Sequence, residues 1–306
     1  MDFNELEKYI SADRLFTYST LLGVSVTDLD KAVGAYHWNK ALGGAVYSFL
    51  QCLEVSLRNS VHMAAKAKFG KENWYEPVCR QVRLNIRKKQ KKAAAKALAA
   101  GLTPKPIVKF TATESKIWKA INQLKRERKI VSSANIISTL MFGFWADLFQ
   151  DDYMSGDRSL LWPELLPIVF PNAPKGMPLK TYCDELLDIN FLRNRFSHHE
   201  PLWKSGSVSS VNDAITFSDD EMSKIMRYVH YISADRAKML KSSVAYKEFK
   251  ALNKAATLDV FIGAKKNILS THQFKADLNL HLKNVCDNHQ MVFVKRNTSI
   301  VKVVSY

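Results

Sequence analysis

The sequence is short of acid. Its 306 residues hold 29 Asp and Glu against 45 Lys and Arg, a formal net charge of +16. That balance says nothing about fold, but it makes polyanions the natural partners. Cysteine is scarce as well. Cys52, Cys79, Cys183 and Cys286 lie far apart and form no CxxC pair, which excludes a dense disulfide framework and fits free thiols in a reducing compartment. Long apolar runs are missing. The richest, ALGGAVYSFL at 41–50, is closed by Gln51 and Glu54 and is too short to cross a bilayer. The opening MDFNELEKYISADR has neither the basic start nor the apolar stretch of a secretory signal. No glycine-rich phosphate loop, serine elbow or paired acidic metal site stands out. Cys286 and His289, with His281 nearby, supply only half a zinc ligand set. These absences read as a soluble cytoplasmic protein with no membrane partner, no metal and no cofactor.

What is present suits a folded, helical chain. Hydrophobic residues make up 47%, with 6 Trp and 16 Phe, and charged residues 24%, so a core can form. The length fits one large domain or two modest ones. YISADRLFTYSTLLG (9–23) reads as a helix capped by Ser11 and stopped by Gly23. Residues 26–70 read as a short helix and then a long one, with Leu50, Leu53, Leu57 and Val61 on one stripe and Gly70 as the stop. Ser132 or Ser133 caps the apolar ANIISTLMFGFWADLF (134–149), whose Phe142, Phe144, Trp145 and Phe149 read as core. A Pro-rich loop with short helices (155–178) leads to an amphipathic helix over 179–198. A polar loop, SGSVSSVND (205–213), precedes a helical 219–240. MVFVKRNTSIVKVVSY (291–306) alternates about Arg296–Ser299, which predicts a β-hairpin. The hexapeptide YISADR occurs at 9–14 and again at 231–236, as two similar helix starts.

One segment carries most of the charge. Residues 80–129 contain 16 Lys and Arg and only two acids, Glu114 and Glu127, so they hold +14 of the chain's +16. An Ala-rich helix (93–100) is broken by GLTPKP (101–106), and a second helix begins near Thr113. The cations are interleaved with Leu84, Ile86, Leu98, Ile117 and Trp118, which points to nucleic acid contact rather than a solvated tail. Arg83, Arg87, Lys88, Lys89, Lys91, Lys92, Lys125, Arg126, Arg128 and Lys129 are the predicted RNA contacts. Dense charge without a base-reading pattern predicts binding through phosphates, weakened by salt.

Two Arg-Asn-His clusters carry the chemistry. LEVSLRNSVHMA (53–64) sets Glu54, Arg58 and His62 at i, i+4 and i+8, one helix face, with Asn59 beside them. FLRNRFSHHEPLW (191–203) holds Arg193, Asn194, Arg195, His198, His199 and Glu200 within eight positions. Asn194 and His198 are i, i+4; Arg193 and His198 converge if the helix ends near His198, as the approach of Pro201 favours. Such parts suit RNA cleavage without a metal. A base takes the 2′-OH proton, the 2′-oxygen attacks phosphorus, and an acid protonates the departing 5′-oxygen. Histidine titrates near neutrality and serves either role. Arginine offers a planar fork to phosphate oxygens as charge builds. An amide orients the imidazole.

RNRFSH (193–198) resembles the R-x4-H motif, with Asn after the Arg, of the HEPN superfamily of helical endoribonucleases. LRNRFSHHEPLW (192–203), with ISADRLFTY (10–18), LEVSLRNSVH (53–62) and LMFGFWADLF (140–149), is similar to the abortive-infection (Abi) proteins of the AbiF/AbiD type, from about residue 8 to 205. The resemblance implies a bacterial, cytoplasmic antiphage protein with a HEPN-like helical bundle. It also implies RNA as substrate, a structured non-coding RNA antitoxin as restraint, and homodimer formation. The candidate catalytic residues are Arg193, Asn194 and His198, then Arg58 and His62, with Glu54, Asn59 and His199 supporting. The first cluster departs from the pattern: Arg58 to His62 is R-x3-H, one residue short, so a polar network joining helices remains an equal reading for it. The other class of function is a non-catalytic RNA-binding module whose histidines are structural.

The expected fold is therefore mostly α, a helical bundle with a small C-terminal β-hairpin. Its expected divisions are an N-terminal helical part (1–79), a basic RNA-binding insertion (80–130), a helical part with the R-x4-H motif (131–240) and a C-terminal extension (241–306).

Overall fold

A computed structural model describes residues 3–25, 27–203, 206–263, 268–296 and 299–303. The fold is mostly α with a small C-terminal sheet, as the periodicity predicts. In chain order the helices begin with α1 (Phe3–Ile10), α2 (Ala12–Leu22), α3 (Leu29–Phe69), α4 (Tyr75–Ala99) and α5 (Ala112–Arg126). They continue with α6 (Ser133–Thr139), α7 (Phe142–Asp147), α8 (Leu166–Val169), α9 (Leu179–Ser197) and α10 (Val211–Ile232). The last are α11 (Ala234–Lys241), α12 (Val244–Leu252), α13 (Ala255–Phe261), α14 (Thr271–Ala276) and α15 (Leu278–Cys286). Among the described residues no helix is long and apolar enough to cross a membrane.

The chain forms two compact units. The first takes the residues up to Gln51, then Leu192–Arg227 and everything from Asp235 on. The second takes Cys52–Phe191 and Tyr228–Ala234. The two Arg-Asn-His clusters therefore fall in different units.

α3 is one unbroken helix, where a short helix and then a long one were expected. Two of its glycines in the first unit serve close packing. A Cβ on Gly34 would lie 2.2 Å from the Phe261 carbonyl oxygen, and one on Gly43 would lie 2.9 Å from the Phe196 ring. The predicted polar loop is shorter than its composition suggests. The N–H groups of Ser209 and Ser210 donate to the Asp213 carboxylate, and the Asp213 N–H donates to the Ser210 hydroxyl. Residues typical of turns are thus spent capping α10, which starts at Val211.

The predicted hairpin is β2 (Val292–Arg296) against β3 (Ser299–Val303), antiparallel, with Val294 opposite Val301. Its tip, residues 297 and 298, lies outside the described residues, as does Ser205 of the predicted polar loop. A third strand, β1 (Ile268–Ser270), pairs parallel to β2 and was not predicted; three residues give too little alternation to read. Val285, Val292 and Val294 form the core beneath, with Leu269, Phe274 and Val303 packed on it.

The second unit is built on aromatic packing. Phe149 stacks on Trp162 with ring centroids 4.5 Å apart, and Phe170 stacks on Tyr182 at 4.8 Å. Phe142, Phe144, Trp145 and Phe149 are all buried, so the aromatic run is core. Thr111 caps α5 through a reciprocal bond pattern with Glu114, and Ser132 caps α6 by accepting from the Asn135 N–H. Thr113 and Cys79 meet the buried Tyr153 hydroxyl at 2.5 and 3.8 Å, tying α4 and α5 together. Burial pushes the Cys79 thiol up to about 11, so it stays protonated. The stripe Leu50, Leu53, Leu57 and Val61 is buried along its length. Both copies of YISADR mark the same event, a serine between two helices: Ser11 before α2 and Ser233 before α11.

Candidate functional site

The R-x4-H stretch ends α9 in a tightly defined corner of the first unit. The His199 N–H donates to the Phe196 carbonyl at 3.0 Å and the Glu200 N–H to the Arg195 carbonyl at 2.9 Å. His199 sits in the left-handed region, φ 56°. This is the Schellman closure of a helix, in which glycine usually holds that position because a Cβ is strained there. Pro201 follows at once and cannot extend the helix. The His198 N–H is shared between the Asn194 and Arg195 carbonyls, at 3.0 and 3.1 Å. Asn194 thus meets His198 through its main chain. The His198 and His199 side chains are exposed. Arg193 is half-buried: its Nη1 donates to the Ser197 hydroxyl at 3.3 Å, and its buried Nε has no hydrogen-bond partner among the described residues.

Polar and aromatic contacts fix this corner from behind. Asn39, only 5% exposed, donates its amide N–H to the Tyr18 hydroxyl at 3.0 Å and accepts from the Leu202 N–H at 3.1 Å. Arg195 donates to the Leu202 carbonyl at 3.3 Å, and Arg14 to the His198 carbonyl at 3.5 Å. Trp203 packs on Trp38 and Tyr18, with ring centroids 5.0 and 6.1 Å away. Burial pushes the Tyr18 phenol well above its ordinary range, so it acts as a neutral hydrogen-bonding group.

In front of the corner lies a cleft of about 290 Å³, lined by Lys40, Gly43 and Tyr47 of α3 and by Ser197, His199 and Glu200. The missing side chain of Gly43 lets the Phe196 ring rest on α3, and Tyr47 meets that ring edge-on at 6.4 Å. Sequence reasoning missed Lys40 and Tyr47. The paired glycines at 43–44, inside a helical pattern, were the available sign of close approach.

The first cluster lies in the second unit and is differently occupied. His62 Nδ1 accepts from the Trp74 indole N–H at 3.0 Å, and its Nε2 is 3.4 Å from the Glu72 carboxylate. An accepting Nδ1 puts the proton of the neutral ring on Nε2, facing that carboxylate. Burial lowers the His62 pKa, Glu72 opposing. Lys66 pairs with Glu72 and holds that carboxyl below its usual range. Arg58 donates to the Ser138 carbonyl and to Asn59, each at 3.4 Å. Glu54 is half-buried.

The cations named on 80–129 sit on α4, α5 and the turn after α5. Arg87, Lys88, Lys89, Lys91, Lys92, Lys125, Arg126, Arg128 and Lys129 are exposed. Lys89 and Lys129 have acidic partners, Asp152 at 3.0 Å and Glu127 at 2.8 Å. Arg83 is half-buried against Glu114, at 3.4 Å, and over the Phe110 ring at 5.6 Å, so it joins α4 to α5.

Two measurements follow from this geometry. His199→Gly relieves a left-handed side chain and is expected to raise unfolding stability by up to about 1 kcal/mol; an equal or lower melting temperature would show that the imidazole's contacts outweigh the strain. For His62, the folded pKa lies below the unfolded value of about 6.5. The unfolded chain then binds more protons, so stability falls as pH drops through about 6.5 toward the folded value. His62→Gln keeps an acceptor for Trp74 and is expected to flatten the melting temperature between about pH 7 and 5. An unchanged slope would place the titration elsewhere.

Comparison with known proteins gives one match. The model of the family described as Abi-like protein matches residues 8–204, a span that takes in both clusters, the basic segment and the clamped corner. No curated protein and no solved structure matches the chain. The chain belongs to the Abi-like protein family, which places it among proteins of abortive-infection-type defence.

Proposed function

We propose that this protein is a metal-independent endoribonuclease toxin of the HEPN type, restrained by a structured non-coding RNA. The observation that carries the reading is the clamped corner: Arg193, His198 and His199 stand at the end of one helix, with a strained His199 on the wall of a cleft that also presents Lys40 and Tyr47. Strain of this kind persists where the surroundings over-determine it, and it concentrates at working sites.

His198, exposed and attached to a fixed turn, moves the proton of the 2′-OH or of the leaving 5′-oxygen. Arg193 faces the phosphate as charge builds on it, while the Asn194 carbonyl holds the His198 main chain in place. The substrate supplies its own nucleophile, so products carry 2′,3′-cyclic phosphate and 5′-hydroxyl ends. His62 is assigned to the polar network, since both its ring nitrogens are engaged. The second proton-transfer group is then His199, or the same corner of a second copy in a homodimer. The exposed cations of α4 and α5 hold RNA through its phosphates.

Purified protein in excess EDTA is expected to cut labelled RNA, and His198→Ala to slow cutting by about a hundredfold to ten-thousandfold. Equal rates for the two proteins, with RNA still bound, would favour the non-catalytic RNA-binding module. Replacing Lys88, Lys89, Lys91 and Lys92 together by Ala is expected to weaken RNA binding and to flatten its dependence on salt. The same affinity and slope would remove this face from the account.

A further inference from the structure

The second unit holds another cleft, of about 630 Å³, between α4 and α5. Its walls are mainly apolar and cationic, with the carboxylates of Glu76 and Glu114 beside the cations. Phe110, Ile117 and Trp118 are apolar; Arg80, Arg83 and Lys119 are cationic. Trp118 is 66% exposed and Phe110 64%, whereas the other five tryptophans are at most 3% exposed. A flat indole left in water is unfavourable by its apolar area, and this one lies on the segment that carries +14 of the chain's +16. The Arg83 guanidinium already lies over the Phe110 ring at 5.6 Å, held there by Glu114 at 3.4 Å. One side of the cleft is thus a fixed aromatic–cation pair and the other an open indole.

We infer that this cleft takes an unpaired nucleobase of single-stranded RNA, stacked on Trp118, with the flanking phosphates held by Arg80 and Lys119. Charge complementarity selects the occupant: an apolar peptide would fit the floor but gain nothing from the surrounding cations, whereas a nucleotide uses both. Base–aromatic stacking tolerates any sequence, because every base has a π-face. A duplex keeps its bases stacked on one another and offers none to the indole. The inference rests on the reading of RNA as ligand and narrows it: strands with unpaired bases are preferred over duplex, which phosphate contacts alone do not produce.

The probe is a short 2′-O-methyl oligoribonucleotide, which lacks the attacking hydroxyl and stays intact. Binding is read by tryptophan fluorescence and by anisotropy of a labelled strand. The single strand is expected to quench emission saturably; its duplex and an abasic strand of equal charge are not. Trp118→Ala is expected to remove the quench and weaken single-strand binding about tenfold or more, with duplex binding unchanged. Trp118→Phe keeps a stacking face and is expected to retain most of the affinity. Because Trp118 is exposed, circular dichroism of the variants should match the wild type. Equal single-strand affinity for wild type and Trp118→Ala overturns the inference, as does equal quenching by duplex. If neither strand nor duplex binds the wild type, the RNA reading falls as well.

Discussion

The buried amide of Asn39 is the contact on which the candidate site depends. It lies in the first unit with almost no exposure, donates to the Tyr18 hydroxyl and accepts from the Leu202 N–H. In three bonded groups it joins α2, α3 and the chain just past Pro201. A buried amide is costly unless its bonds are made, so the segment after α9 has one position in which Asn39 is satisfied. Trp203 then packs on Trp38 and Tyr18. With both ends of the turn fixed, His199 is kept in a left-handed conformation that a free helix end would relax. The histidine pair is thus presented by a fixed turn rather than by a loose loop, which is what the proposed proton transfer at a phosphate requires.

The two Arg-Asn-His clusters look alike in sequence and differ in their surroundings. His62 has Trp74 on one nitrogen and Glu72 beside the other, and Arg58 is directed to a main-chain carbonyl. Nothing in the sequence around His62 reveals those partners, since Glu72 and Trp74 stand beyond the end of α3. His198 and His199 are both exposed, and His199 lines the cleft. Both ring nitrogens of His62 stand beside a partner, whereas the His198 and His199 side chains are exposed.

Much of the fold was legible. The stripe from Leu50 to Val61 is buried, Ser132 caps where it was expected to, and α5 begins at the predicted place because Thr111 and Glu114 form a capping box. The parts that were not legible share a cause: one residue type serves two purposes. Gly34 and Gly43 admit a carbonyl and a ring from segments far off in sequence. Ser210 and Asp213 look like loop and instead cap α10. In the candidate corner, Arg193, Asn194 and His198 stand together in sequence and can be named from local spacing. Lys40 and Tyr47 were not, because they reach the cleft from about 150 residues away, across a contact that only the fold creates.

The most direct measurement of the central claim is the chemistry of the RNA ends. If the corner at His198 directs a 2′-OH onto the adjacent phosphorus, products made in excess EDTA carry a 2′,3′-cyclic phosphate and a 5′-hydroxyl, and a strand with 2′-O-methyl at the cut position is inert. Products with free 3′-hydroxyl ends, or cleavage of the 2′-O-methyl strand, would contradict it.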